Sequence, residues 1–482
     1  MGERETQFAA GGQCSADLVG KRGKGKRGKG KGVTYLAASS SVVYKAWLLG
    51  VGFPGKYFSR LLQTAAAYKA KLLCSGIFVC GRDEATILKE DLAVGTLVVL
   101  RLLRSVVDYE KKTVTVSFFG MCKQVALYRP GLGSTLVVES TIAALEAQGA
   151  PFVGEYLEER KQQSFTEDSP IAVGEMSPEV DAARLAAVVE SAFVESGPRR
   201  LKRTRAVVVV HKGEIIAERY APGFSAQTPM LGWSMAKSVV NALVGILVKD
   251  GKLSLSDTQL LAAWRGKGDP RGEITLDQLL RMSSGLAFSE VYTDPRSDVL
   301  TVLFQQGDGA GYAARRPLAA RPGSEFCYSG GSTVLLCRII REAVGGSLAD
   351  YFAFPRRALF DRIGMASAVM EPDAAGTFVG SSFMYATARD WARFGLLYLW
   401  DGCWLFAAQR LRQRLRSATG SDRQLNSERN RLQSVCVADK VAGSGWERIL
   451  PEGWVDYSTA PSERADFYGA HFWRGVPNSF TD

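Results

Sequence analysis

The segment Ser234-Met235-Ala236-Lys237 stands at the mouth of a long amphipathic helix, and this placement constrains the chain more than any other feature. Upstream, Arg205-Ala-Val-Val-Val-Val210 and Glu214-Ile-Ile-Ala-Glu-Arg-Tyr220 are strand-like runs joined by a tight His211-Lys-Gly213 turn, so a hairpin leads in. Downstream, apolar residues recur at helical spacing from Lys237 to Asp250, and Gly251 is placed to end the helix as its C′ residue. Ser234 then falls in the first turn, where unpaired backbone N–H groups and the helix dipole favour a developing negative charge. Three residues on, Lys237 shares its face.

This geometry suits a serine nucleophile activated by a lysine. The chain has only two histidines, His211 in the hairpin turn and His471 near the end, which leaves a Ser-His-Asp triad few ways to form. A lysine acts as a base only when neutral, a form that burial or a neighbouring cation favours. The plainer alternative is a Ser234 that caps the helix beside a solvated Lys237. A second signal lies well downstream. Pro322-Gly-Ser-Glu-Phe-Cys-Tyr328-Ser329-Gly330-Gly331 leads into a helical run from Ser332 to Val344. Tyr328 therefore sits in a loop just before a helix, where a phenol can reach across a cleft; half-buried packing is the alternative.

Together these segments resemble the serine β-lactamase-like superfamily of penicillin-recognising hydrolases. The resemblance is to class C β-lactamases, D-alanyl-D-alanine carboxypeptidases and especially the esterase and nylon-oligomer hydrolase branch. It is carried by Gly232-Trp-Ser-Met-Ala-Lys-Ser238, by Ile274 to Leu286, and by the Tyr328-Ser-Gly330 loop. Phe360-Asp-Arg-Ile-Gly-Met365, Gly376 to Ser382 and Tyr385 to Leu399 follow in family order. The resemblance implies that Ser234 is the acylated nucleophile, Lys237 its base and Tyr328 the proton shuttle to the leaving group. The Ser234 N–H would form half of an oxyanion hole. Trp233, Tyr292, Ser329 and Gly330 are the substrate-binding candidates, with core packing as the alternative for Trp233 and Tyr292. The family's tyrosine motif reads Tyr-x-Asn; Gly330 stands in place of the amide, which argues against a typical β-lactamase activity.

The implied fold is α/β of the α+β type: an antiparallel sheet flanked by helices, with a mostly helical subdomain inserted across the cleft. The implied substrate is a small amide or ester. A third motif, Lys-Thr-Gly or an equivalent, belongs on an edge strand after Tyr468-Gly-Ala-His-Phe-Trp473, a segment that resembles the strand before it. No such motif follows, so the expectation is a C-terminally truncated member, impaired as a hydrolase. A non-catalytic relative that keeps the cleft for binding is the second reading.

Other features are less specific. Ser283-Ser284 follow a helix with a Thr275…Gln278 capping box and are read as its end. Glu371 and Asp373 either line the cleft or lie on a solvated loop. Eight cysteines include no C-x-x-C pair, the histidines are isolated, and no glycine-rich loop has phosphate-binding context, so neither a metal nor a cofactor is expected.

At 482 residues and 46% hydrophobic the chain can bury a large core and a smaller second unit. Its net charge of +11 misleads, because Lys21 to Gly32 alone carries seven positive charges and no acid. That low-complexity tract reads as a disordered, solvated tail; the alternatives are a targeting leader or, as the third functional reading, a binder of nucleic acid or an anionic membrane surface. No apolar stretch reaches membrane-spanning length; Ser41 to Phe53 is short and interrupted by Lys45, a loosely signal- or transit-like start that leaves the compartment open. The expected organisation is a basic leader over 1–40, an accessory segment of short strands and helices over 41–160, a linker over 161–177, and the catalytic domain over 178–482. Within it, 405–445 holds seven arginines between Arg410 and Arg431 and reads as an insertion, since joining Trp404 to Glu447 restores a continuous family-like sequence; an arginine-rich helix for partner binding is the alternative.

Overall fold

The computed structural model describes residues 55–92, 100–162, 173–174, 178–197, 201–405 and 446–474. The basic leader, most of the linker, the arginine-rich run 406–445 and residues 475–482 lie outside the described residues.

The first unit is one long helix laid across a small sheet. Helix α1 (Gly55–Phe78) buries Ala66, Ala67, Ala70, Leu73 and Cys74, a stripe at helical spacing. A short helix α2 (Glu84–Glu90), capped by Asp83, follows. The sheet then runs β1 (Arg104–Asp108), β2 (Thr113–Phe118), β3 (Met121–Arg129) and β4 (Gly133–Leu136), antiparallel and in sequence order. In β2 the fully buried Val114 and Val116 alternate with less buried neighbours, so one face meets α1. Helix α3 (Ile142–Gln162) closes the unit. Its longest described helix, α1, runs 24 residues.

The second unit opens with α4 (Ala182–Phe193) and the hairpin β5 (Ala206–His211) and β6 (Glu214–Tyr220). Its turn uses Lys212 and Gly213, both at positive φ, as a two-residue hairpin turn demands. After β7 (Met230–Leu231) comes α5 (Met235–Lys249), ended by Gly251 at φ 68°. Next are α6 (Leu276–Leu280), with the expected Thr275–Gln278 capping box, then α7 (Asp298–Phe304), α8 (Gly309–Ala314) and the longer α9 (Gly330–Val344). Then come α10 (Leu348–Pro355), β8 (Val369–Met370), β9 (Met384–Ala386), α11 (Ala388–Leu399), β10 (Cys403–Leu405), β11 (Trp446–Arg448) and α12 (Trp454–Thr459). Both α5 and α9 sit in the core: Val239, Val240, Leu243 and Leu247 of one belong to the same buried cluster as Leu335, Leu336, Ile339 and Ile340 of the other.

The architecture is the mixed α/β arrangement of antiparallel strands and helices that the sequence implies. Among the described residues its strands form several small sheets. Among the described residues β5 pairs with β6, β9 lies between β7 and β8, and β10 pairs with β11. The segment Tyr468–Trp473, expected as a strand, closes on itself through one bridge between those two residues. The β10–β11 register sets Trp404 opposite Glu447, so the described residues on either side of the arginine-rich run are paired.

Asn241, fully buried on α5, ties three later segments to that helix. Its Nδ2 donates to the Ala470 carbonyl at 2.9 Å, while its Oδ1 accepts from Tyr398 Oη at 2.7 Å, Trp454 Nε1 at 2.9 Å and Ser458 Oγ at 3.1 Å. Replacing it with leucine orphans buried groups that each cost about 1–3 kcal/mol. Asn241→Leu should therefore lose at least ~3 kcal/mol in urea unfolding; a midpoint unchanged from wild type would show that these bonds add nothing net.

Candidate active site

The turn into α5 is built by two residues that tolerate little replacement. A Cβ at Gly232 would lie 2.3 Å from the Trp391 ring, so only glycine fits while its N–H donates to the Met384 carbonyl. Trp233 then adopts φ 44°, a left-handed conformation uncommon for a bulky side chain and a mark of a strained, over-determined turn. This kink delivers Ser234 to the N-cap position of α5. Its side chain makes no capping bond, so the plainer reading of a serine spent on its own helix does not hold.

The hydroxyl instead faces two groups. Ser234 Oγ accepts from Tyr328 Oη at 2.9 Å and from Lys237 Nζ at 3.2 Å. Lys237 is 2% exposed and not solvated; its Nζ also donates to the Ser381 carbonyl at 2.8 Å and lies 5.0 Å from the Tyr328 ring centroid. Just before Tyr328, the Cys327 N–H donates to the Met282 carbonyl at 2.7 Å. The Tyr328 ring packs on Trp473 and Tyr468, with centroids 5.3 and 6.0 Å away. Residues 94 positions apart thus meet at one oxygen.

The remaining candidates divide. Trp233 is 39% exposed and Tyr292 53% exposed. Ser329 is buried and its Oγ accepts from the Ser332 N–H, capping α9, so that hydroxyl serves the helix rather than the cleft. Gly330 N–H donates to Glu290 Oε2 at 2.8 Å, and a Cβ at this position would lie 3.4 Å from Glu290 Oε1. A carboxylate thus borders the place where the family pattern has an amide. Glu290 also accepts from Tyr292 Oη at 3.0 Å. Burial pushes its carboxyl above the ordinary range, against the pull of Lys237, the Gly330 N–H and Tyr292. Sequence reasoning misses Glu290 and Ser381: a lone acid and a backbone carbonyl carry no pattern.

Neither Glu371 nor Asp373 is on a solvated loop. Glu371 is fully buried and Asp373 is 8% exposed, accepting from the Thr377 and Gly309 N–H groups, with burial raising its carboxyl to about 7. Ser283 and Ser284 are buried at the end of α6, as expected. Among the described residues no cluster of three metal-ligating side chains occurs, and no helix is long and apolar enough to cross a membrane.

With the site's geometry in place, the chain can be compared with known families. Residues 198–473 match the Beta-lactamase family model, more than half of the chain, and the protein belongs to that family. A curated relative, the 6-aminohexanoate-dimer hydrolase of Paenarthrobacter ureafaciens, is 26% identical over 212 residues, 41% of this chain. The chain spans 52% of that relative's length, about half. A Bacillus anthracis structure provisionally assigned to the same hydrolase is 22% identical, with a TM-score of 0.43 over 63% of this chain and 74% of its own. A D-stereospecific amidohydrolase from a Streptomyces species is 15% identical, with a TM-score of 0.39 over 61% of this chain and 82% of its own.

His471, which the sequence leaves without a catalytic role, is a buried structural pin. Its Nδ1 donates to the Leu280 carbonyl, 2.6 Å away, and in the neutral ring that burial favours Nε2 accepts from Thr333 Oγ1 at 2.9 Å. Burial drives its pKa down to about 3. Unfolded, the ring titrates at about 6.5. Below that pH the unfolded chain binds a proton the folded one refuses, so His471's stabilisation is whole above pH ~6.5 and declines by ~1.4 kcal/mol per pH unit toward pH ~3. Asp373, raised to about 7, titrates with the opposite sign over this interval, so the comparison must be with a variant. The stability advantage of wild type over His471→Gln should shrink at that rate between pH ~6 and ~4; parallel urea-unfolding curves across pH would refute it.

Proposed function

We propose that the protein is a serine hydrolase working through an acyl-enzyme on a small amide or ester. The observation that carries this reading is the convergence of Tyr328 Oη and Lys237 Nζ on Ser234 Oγ. In its neutral form Lys237 takes the Ser234 proton as Oγ attacks the substrate carbonyl carbon. The carbonyl oxygen gains negative charge beside the Ser234 N–H, which as a first-turn group has no intrahelical acceptor. When the tetrahedral species collapses, the carbon–nitrogen or carbon–oxygen bond breaks and Tyr328 gives its proton to the departing atom. The Lys237 ammonium returns a proton to Tyr328. Water then attacks the ester on Ser234 by the same relay, releasing the acid. Trp233 and Tyr292 offer exposed aromatic faces that suit an apolar acyl or leaving group.

The curated relative's name, a dimer hydrolase of 6-aminohexanoate, makes small linear amides the first substrates to try. The test is intact-mass detection of a fluorophosphonate adduct. Wild type should gain one adduct, Ser234→Ala none, and Tyr328→Phe or Lys237→Met should slow labelling by about 10²–10⁴-fold. An adduct persisting on Ser234→Ala would defeat the assignment, and an unlabelled wild type would leave a cleft that binds without turnover.

A further inference from the structure

Helix α1 of the first unit bonds, through Lys71 and Arg60, to two segments that adjoin the candidate site residues. Lys71 and Glu371 are buried to 2% and 0% exposure, with Nζ and Oε2 2.7 Å apart. Lys71 also donates to the Ser134 carbonyl and lies 4.6 Å from the Phe383 ring centroid. The other carboxylate oxygen accepts from Ser75 Oγ at 2.8 Å and from the Ser134 N–H at 2.7 Å. Glu371 is wired to the site through its backbone: its N–H donates to the Phe383 carbonyl at 3.0 Å, and its carbonyl accepts from the Val379 N–H at 2.9 Å. Between those anchors lies Ser381, whose carbonyl holds the Lys237 amine. Phe383 itself meets Trp233, ring centroids 6.1 Å apart. Toward the other end of α1, Arg60 donates to the Pro295 carbonyl at 3.1 Å and to Thr301 Oγ1 at 2.7 Å. Pro295 lies three residues beyond Tyr292, on the loop that also carries Glu290.

Two ions fully removed from water persist only when paired and hydrogen-bonded, and a satisfied buried network permits essentially one arrangement of the segments that hold it. Burial pushes the Lys71 amine down and Glu371 pulls it back, as such pairing requires. Resting on the hydrolase reading, we propose that α1 is a positioning strut for the site. The Lys71–Glu371 pair sets Lys237 through the Ser381 carbonyl, and Arg60 sets the Tyr292 wall through Pro295. These residues touch no reacting atom; they act through the groups they hold.

The test uses the whole chain and an alkyl fluorophosphonate, with labelling kinetics resolved into a maximal rate and a half-saturating concentration, alongside thermal melts. Glu371→Gln keeps an acceptor for Ser75 and Ser134 but removes the charge that pairs with Lys71. Its maximal rate should fall on the order of 10- to 100-fold, the scale of a small misplacement of a reacting group, with little change in half-saturation. Lys71→Met combined with Glu371→Gln, which removes both charges, should recover part of that rate. Arg60→Met should act chiefly on the half-saturating concentration, raising it several-fold. Should Glu371→Gln not fold, Ser75→Ala removes one bond to the same carboxylate and should slow labelling about threefold or more. A merely structural network would lower the melting temperature and leave the maximal rate of folded protein within roughly twofold of wild type, which overturns the proposal. Wild type that takes no label overturns the hydrolase reading and this inference with it; labelled wild type with indifferent variants overturns the inference alone.

Discussion

A lysine amine buried beside a serine oxygen is the condition around which the second unit is organised. Lys237 lies at 2% exposure, donating to Ser234 Oγ and to the Ser381 carbonyl. A side chain so removed from water is costly unless its polar atom is bonded, so the surrounding backbone must supply acceptors at the right places. The Ser381 carbonyl is one such acceptor, and Tyr328 covers the same amine with its ring face. The serine oxygen thereby becomes a shared acceptor of two donors rather than a helix cap.

That arrangement is held by strain and by burial together. The left-handed Trp233 and the glycine-only position 232 fix the direction from which the chain enters α5. On the far side, the segment from Tyr468 to Trp473 folds over α5 and α9. Ser238 Oγ donates to the His471 carbonyl, Asn241 to the Ala470 carbonyl, and the His471 ring bridges Leu280 and Thr333. The same segment lays Trp473 and Tyr468 against Tyr328. Buried polar groups here act as ties between distant stretches of chain, which is how a packed interior specifies one arrangement among many.

Chemistry between near neighbours is legible in the residues themselves. The β5–β6 hairpin, with its turn at Lys212-Gly213, the helix from Met235, the stop at Gly251 and the Thr275–Gln278 capping box all rest on hydrogen bonds spanning a few residues. The Ser-x-x-Lys spacing places both groups on one helical face for the same reason. Ser329 is a cleft candidate because the motif contains it, yet its hydroxyl is consumed by the first turn of α9. Glu371 and Asp373 are acids in a loop with glycine and serine, a pattern typical of solvent, and they are buried because partners from other elements satisfy them.

The sequence by itself determined the local elements, the helical face shared by Ser234 and Lys237, and a family resemblance that points to Tyr328. Tertiary structure alone decided that Tyr328 Oη comes within 2.9 Å of Ser234 Oγ, that Ser381 and Glu290 border the site, and that Lys71 of the first unit pairs with Glu371 of the second. The reason is the range of the forces involved. Turns, caps and amphipathic periodicity are written in residues a few positions apart. The partner of a buried charge or carbonyl is whichever group the packed chain brings to it, and no spacing in the sequence records that choice.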